Sequence, residues 1–339
     1  MIELVPELLG RGAGLGAGAL AAALRLPEHL LASGNRRPDP DIGQLGPVRF
    51  DEARHLLLGN GPTPDGGSLF TVSHGHGPAF LFVHGLGVTS RIWTKQFRML
   101  PPAGIRTVAF DHRGHGASTA VPTGTGPDSI DQLADDVRTV IEDLDLRDLV
   151  VVGHSMGGMA LLAFALRHPD VLAARVRGIV LMSTAACLDL HRIPLVPASM
   201  AAFAAGFVRS GAWSRSDWST LAARTMFGRD AVPSQIELVR VLLATAAEDT
   251  VVACADAIAH FDVGRRLGEI SVPALVVVGT ADLVTTVRDA RRIARGLVDA
   301  RLELVPGAGH MLMLERAERI GALLSGFARD LGVAAGLAA

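Results

Sequence analysis

One serine in this chain is spaced for covalent catalysis. In VVGHSMGG (151–158) an apolar run ends at Gly153, Ser155 follows, and Gly157 and Gly158 lead into an Ala/Leu-rich stretch. Glycines beside a tight turn let a strand and the following helix approach closely, which leaves the residue at the tip with its hydroxyl exposed. A bare G-x-S-x-G arises by chance about 0.2 times in a chain of this composition, so the setting has to supply the specificity. It does so here, because the motif closes a predicted strand and opens a predicted helix. A serine is a weak nucleophile until a base takes its proton and an acid orients the base. Asp282 follows the apolar run PALVVVG, and His310 follows RLELVPG. The order Ser155, Asp282, His310 is the one expected with such a turn. The backbone N–H groups of Met156 and of Leu86, in HGLG (84–87), are the expected oxyanion donors.

These residues need a scaffold that brings distant loops to one edge. Short apolar runs supply it at 68–74, 79–85, 105–111, 148–154, 177–183, 273–279 and 301–307. Continuous apolar character suits strands buried on both faces, hence a largely parallel sheet covered by helices. The Gly/His/Pro turn between the first two runs signals a hairpin. Ser129 is expected as a helix N-cap, with Gln132 three residues on. Between Cys187 and Asp262 the strand rhythm stops and Ala-rich helical segments take over. That pattern predicts an all-helical cap over the C-terminal edge of the sheet, where ligands of such sheets bind. The chain therefore divides into an N-terminal extension and linker (1–47), a core (48–186 and 263–339) and a helical cap (187–262).

The totals exclude several functions. A net charge of −2 leaves no basic surplus for a polyanion, which argues against nucleic-acid binding. Lys95 is the only lysine, so the cationic surface is arginine. The two cysteines, Cys187 and Cys254, match no metal or disulfide pattern and are expected free and packed. His74, His76, His112 and His115 lack metal-ligand spacing. Gly12, Gly14 and Ala17 half-match a dinucleotide fingerprint, but no strand precedes them, so no cofactor is expected. Residues 10–26 are apolar yet shorter than the roughly 20 needed to span a bilayer. They suit a helix skimming a membrane or covering part of the cap, on a chain expected in the cytoplasm.

Taken in order, HGLG (84–87), DHRGHGAS (111–118), GHSMGG (153–158), GTADL (279–283) and GAGHMLMLE (307–315) resemble the α/β-hydrolase superfamily. The resemblance covers about residues 68 to 330. It implies an α/β-hydrolase sheet flanked by helices, with the all-helical cap inserted after the sixth strand. It also implies that Asp111, Arg113, Gly114, Gly116 and Ser118 shape a loop at the rim of the site. The chain departs from the family at Thr285 and Thr286, where a proline is common after the acid. Its oxyanion loop has a single His-Gly, not a glycine triplet.

The expected activity is hydrolysis of a carboxylic ester through an acyl-enzyme on Ser155. Small apolar, monoacylglycerol-like esters fit a cap rich in aliphatic residues in a chain without tyrosine. A haloperoxidase-like perhydrolase, or a hydrolase of C–C bonds, would use the same triad. A non-catalytic binding protein of this fold would normally have lost one of the three residues. His84 is expected to shape the oxyanion loop and His154 to be packed. Asp189, after the preceding strand, is the alternative acid.

Overall fold

A computed structural model of the chain describes residues 39–58, 67–120, 128–187 and 216–333. The N-terminal apolar stretch and Asp189 lie outside these residues. Eight strands form one sheet: β1 (Glu52–Leu57), β2 (Ser68–His74), β3 (Ala79–Val83), β4 (Arg106–Phe110), β5 (Leu149–His154), β6 (Val176–Met182), β7 (Ala274–Gly279) and β8 (Ala300–Val305). Their order is β1-β2-β4-β3-β5-β6-β7-β8. Strands β3 to β8 run parallel, whereas β2 pairs antiparallel with β1 and β4.

The predicted hairpin is not there. β2 does turn back towards β3, but β4 lies between them. Every residue of β3 is buried. A strand covered on both faces belongs inside a parallel sheet, and β3 accordingly sits between β4 and β5. Side chains alternate between the faces as the two-residue strand period requires. Leu81, Val83, Val151, Val276 and Val278 enter one core, while Phe80, Phe82, Val150, Val152, Leu275 and Val277 enter the other.

Helices cover both faces. They are α1 (Thr94–Met99), α2 (Asp128–Asp143), α3 (Met156–Arg167), α4 (Pro169–Arg175), α5 (Ser216–Thr225), α6 (Pro233–Thr245), α7 (Glu248–His260), α8 (Val287–Gly296), α9 (Leu312–Glu315) and α10 (Ala317–Asp330). α2, α3 and α8 close the first core through residues such as Val137, Leu161 and Ile293. α1, α9 and α10 close the second through Phe97, Leu312 and Leu324. α2 starts at Asp128, so Ser129 lies inside its first turn and is not the N-cap. No helix among the described residues is long and apolar enough to cross a membrane.

The chain between β6 and β7 is helical in its described part, α5 to α7, apart from a single antiparallel bridge. That bridge joins Cys187 to Asp262, and the Val263 N–H donates to the Ala186 carbonyl at 2.9 Å. The insertion therefore leaves and rejoins the core at one point. The Pro-rich segment before β1 also meets the insertion. Asp39 accepts hydrogen bonds from the Ser234 N–H and hydroxyl at the start of α6, both at 2.8 Å. Buried Asp41 accepts from Gln235 at 2.6 Å and pairs with Lys95 at 2.6 Å. Lys95 and Gln235 both also donate to the Leu314 carbonyl.

Candidate active site

Ser155 occupies the turn from β5 to α3 with φ 53° and ψ −121°, in a region that side chains other than glycine rarely adopt. The packing around it sustains this conformation. A Cβ on Gly157 would stand 2.4 Å from the Val83 carbonyl oxygen and 2.5 Å from that of His84, so the helix could not seat this close with any other residue. The Ser155 N–H donates to the Met182 carbonyl at 3.0 Å, and the Thr184 hydroxyl donates to the Ser155 carbonyl at 2.7 Å. The serine thus sits at the N-terminus of a buried helix, an end that favours negative charge.

The other two sequence-chosen side chains meet directly. His310 Nδ1 donates to Asp282 Oδ2 at 2.9 Å, and both residues are buried. The second carboxylate oxygen accepts the N–H groups of Val284 (2.9 Å) and Thr285 (3.0 Å). The Thr285 hydroxyl donates to Oδ2 at 3.1 Å and lies 3.4 Å from His310 Nδ1. Burial pushes the Asp282 carboxyl up, but the charge of His310 and the hydrogen bonds it receives outweigh this and hold it below the usual carboxylate range. Asp282 therefore faces His310 as an anion.

His154 brings this pair to the elbow. It is the residue before Ser155, its Nε2 donates to the His310 carbonyl at 3.0 Å, and the two rings lie 4.7 Å apart. Burial, with the nearby His310 second, pushes His154 down to about 3, so it packs as a neutral ring. The HGLG loop (84–87) closes over the other side. A Cβ on Gly85 would be 3.1 Å from Ser155 Cβ and 3.0 Å from His154 Nδ1. Neither the Leu86 N–H nor the Met156 N–H has an acceptor among the described residues, which leaves both available to an oxyanion.

Histidines hold that loop in place. His84 Nδ1 donates to the Gly85 carbonyl at 2.7 Å, and its Nε2 accepts the His112 N–H at 2.9 Å. The Gly87 N–H donates to His115 Nε2 at 3.1 Å. Burial and the neighbouring rings of His112 and His115 keep His84 neutral, and burial pushes His112 down to about 3. Asp111 accepts the N–H groups of Ser90 (2.8 Å) and Ala117 (3.0 Å), and Arg113 forms a buried two-point pair with Asp136. DHRGHGAS thus packs on the HGLG loop (84–87), with His112 and His115 taking part, whereas the resemblance implied only that Asp111, Arg113, Gly114, Gly116 and Ser118 shape a loop at the rim. Among the described residues no group of three His, Cys, Asp or Glu could hold a metal ion.

A profile described as alpha/beta hydrolase fold matches residues 78–317. The chain belongs to the α/β-hydrolase family. It is 30% identical to a non-heme chloroperoxidase of Kitasatospora aureofaciens over 255 residues, which cover 73% of this chain and 90% of the relative. It is 29% identical to a 3-oxoadipate enol-lactonase of Acinetobacter baylyi over 241 residues, 71% of this chain and 85% of the lactonase. A thermophilic esterase from Thermogutta terrifontis superposes with a TM-score of 0.67 at 25% identity, covering 83% of this chain and 99% of the esterase. Within this α/β-hydrolase the mostly parallel sheet flanked by helices is the one expected from the sequence, except that β1 was not foreseen and β4 stands between β2 and β3. Thr285 and the contact of Gly85 with Ser155 are features the sequence reading did not assign. In the sequence Thr285 marks only a position where the family commonly has a proline.

Proposed function

We propose that this α/β-hydrolase cleaves carboxylic esters through Ser155, His310 and Asp282. The observation that carries the reading is the buried Asp282–His310 hydrogen bond beside a serine held at positive φ. With Nδ1 engaged by Asp282, the neutral His310 ring presents Nε2 as its acceptor. Ser155 Oγ attacks the ester carbonyl while His310 Nε2 takes the hydroxyl proton. The carbonyl oxygen becomes an oxyanion between the Leu86 and Met156 N–H groups. The tetrahedral centre then collapses, and His310 returns the proton to the leaving alkoxide. A water molecule repeats the sequence on the acyl-enzyme and releases the acid.

Apolar acyl or monoacylglycerol-like esters suit an insertion, read as the cap, whose described part supplies Phe227, Val239, Leu242 and Leu243 to the core. Perhydrolysis is the second reading, favoured by the chloroperoxidase relative. Hydrogen peroxide in place of water would convert the same acyl-enzyme to a peracid and free serine.

Ser155→Ala tests the nucleophile. Loss of the serine of such a triad costs on the order of 10⁶ in kcat, so p-nitrophenyl ester turnover should vanish from a protein with an unchanged circular dichroism spectrum. Turnover within about tenfold of the parent would remove Ser155 from the mechanism, given the size of that expected loss. Peroxide-dependent halogenation, compared with ester turnover in the same preparation, separates the two readings.

A further inference from the structure

The insertion and the His310 loop meet at a carboxylate that the ester mechanism does not use. Glu315, at the end of α9, is buried and divides its oxygens between two distant stretches of chain. Oε1 accepts the Gly309 N–H at 2.9 Å, and Oε2 accepts the Gly228 N–H at 2.8 Å. Gly309 precedes His310, whereas Gly228 lies in the insertion just beyond α5. The same stretches join again at the Met226 carbonyl, which accepts the N–H groups of His310 (2.6 Å) and Met311 (3.3 Å). They pack so closely that a Cβ on Gly228 would stand 2.1 Å from the Gly307 carbonyl oxygen. Behind them Arg224, also buried, donates to the carbonyls of Phe227 and Gly228 at 3.2 and 2.8 Å.

We propose that Glu315 is a positioning residue for His310, fixing the backbone beside the base to the seat of the insertion so that the two are placed together. This rests on His310 being the base of the reaction proposed above. Two N–H donors converging on one side chain call for an acceptor at each oxygen, which only a carboxylate supplies. The amide of glutamine would set a donor against one of them, and an unpaired buried N–H is costly. Protonation has a related effect, because it turns one acceptor oxygen into a hydroxyl. The charged groups acting on Glu315 are Arg224 from α5 and Arg316 from the junction of α9 and α10, and Arg316 is itself engaged by Asp230 at 2.8 Å. Burial pushes the carboxyl up to about 7, against the pull of the two N–H groups and the two arginines, so the contact titrates near neutrality.

The test reads His310 without reference to any substrate. The proton shared between His310 Nδ1 and Asp282 gives a far-downfield proton NMR signal. In Glu315→Gln, folded by circular dichroism, this signal should shift or broaden. The kcat on a soluble short-chain ester should fall on the order of tenfold with KM little changed, as a misplaced catalytic group produces. Glu315→Asp, which keeps both acceptors on a shorter arm, should lie between the parent and the glutamine variant. If the folded glutamine variant keeps the parental signal and kcat, or if the aspartate variant is impaired no less than the glutamine one, Glu315 does not position the base through its two acceptors. The unsubstituted protein gives a second reading. The amide signals of Gly228 and Gly309 and the His310 signal should share a titration step near pH 7. If the two glycine amides take a step that the His310 signal does not share, the proposal is overturned equally. Retained turnover in Ser155→Ala would instead defeat the ester mechanism, and the His310 signal would still report on Glu315.

Discussion

Asp282 makes more contacts than holding one imidazole requires. Its two oxygens accept from His310, from two backbone N–H groups and from the Thr285 hydroxyl. Asparagine keeps the size but presents an N–H₂ where His310 Nδ1 donates, which turns the imidazole to the wrong tautomer. Asp282→Asn should therefore lower kcat by about 10⁴, the loss seen for the same exchange in trypsin. Steady-state kinetics on a p-nitrophenyl ester check this, and a loss below about tenfold would place the acid elsewhere. Ser155, Asp282 and His310 were legible because each follows a recognisable strand. Thr285 and Glu315 were not, since a threonine in a loop or a glutamate on a short helix has no spacing that reveals its partners. Their roles depend on which backbone N–H groups the fold brings within 3 Å or so, the ordinary hydrogen-bond reach.

At the scale of elements, the site depends on how near α3 comes to the end of β3. The Cβ of a Gly157→Ala variant would press on the carbonyls of Val83 and His84, which lead into the HGLG loop proposed to hold the oxyanion. Backbone cannot yield as a side-chain tip can, so either the helix or the loop must shift. The variant should lose about 1–3 kcal/mol in urea unfolding, the usual cost of overpacking. The folded fraction should also turn over ester slowly, because Leu86 moves with the loop. Parental stability and rate together would show that the approach tolerates a methyl group. Seven of the eight strands were legible as apolar runs. β1 was missed because EARHLL is exposed over most of its length and has no buried alternation to betray an edge strand. The placement of β4 between β2 and β3 was missed for a different reason. A turn signal gives the reversal of the chain, while neighbours in a sheet are decided by burial on both faces.

At the scale of the molecule, the buried histidines set the response to acid. His84, His112 and His154 are held neutral in the fold, His112 and His154 down to about 3 and His84 well below its usual value, by burial first. In the unfolded chain each binds a proton near its ordinary value of about 6.5. Their stability contribution is complete above that value and is lost as pH falls towards their folded values. Three such groups give a slope of about 4 kcal/mol per pH unit once the unfolded histidines are charged. Glu315 works in the opposite sense. Its folded value of about 7 exceeds that of the unfolded chain, so its contribution falls as pH rises from the ordinary glutamate range to about 7. Burial also raises the Asp136 carboxyl and lowers the His115 ring, so two carboxyls stand against four rings and acid destabilisation stays dominant. Urea unfolding at about pH 7.5 and about pH 5.5 should show a loss of more than roughly 2 kcal/mol, and equal stabilities would mean that these rings are charged in the fold.

The single lysine has a bearing on the chemistry of the whole surface. Lys95 is tied to Asp41 and the Leu314 carbonyl, and every other cationic side chain apart from histidine is an arginine. A guanidinium stays protonated and is a poor acyl acceptor, whereas an exposed amine is a competent one. An acyl group carried on Ser155, as proposed here, would therefore meet no exposed lysine amine on the surface with which to form an amide. Here the only side-chain amine is folded away, so the surface is intrinsically resistant to that form of self-modification.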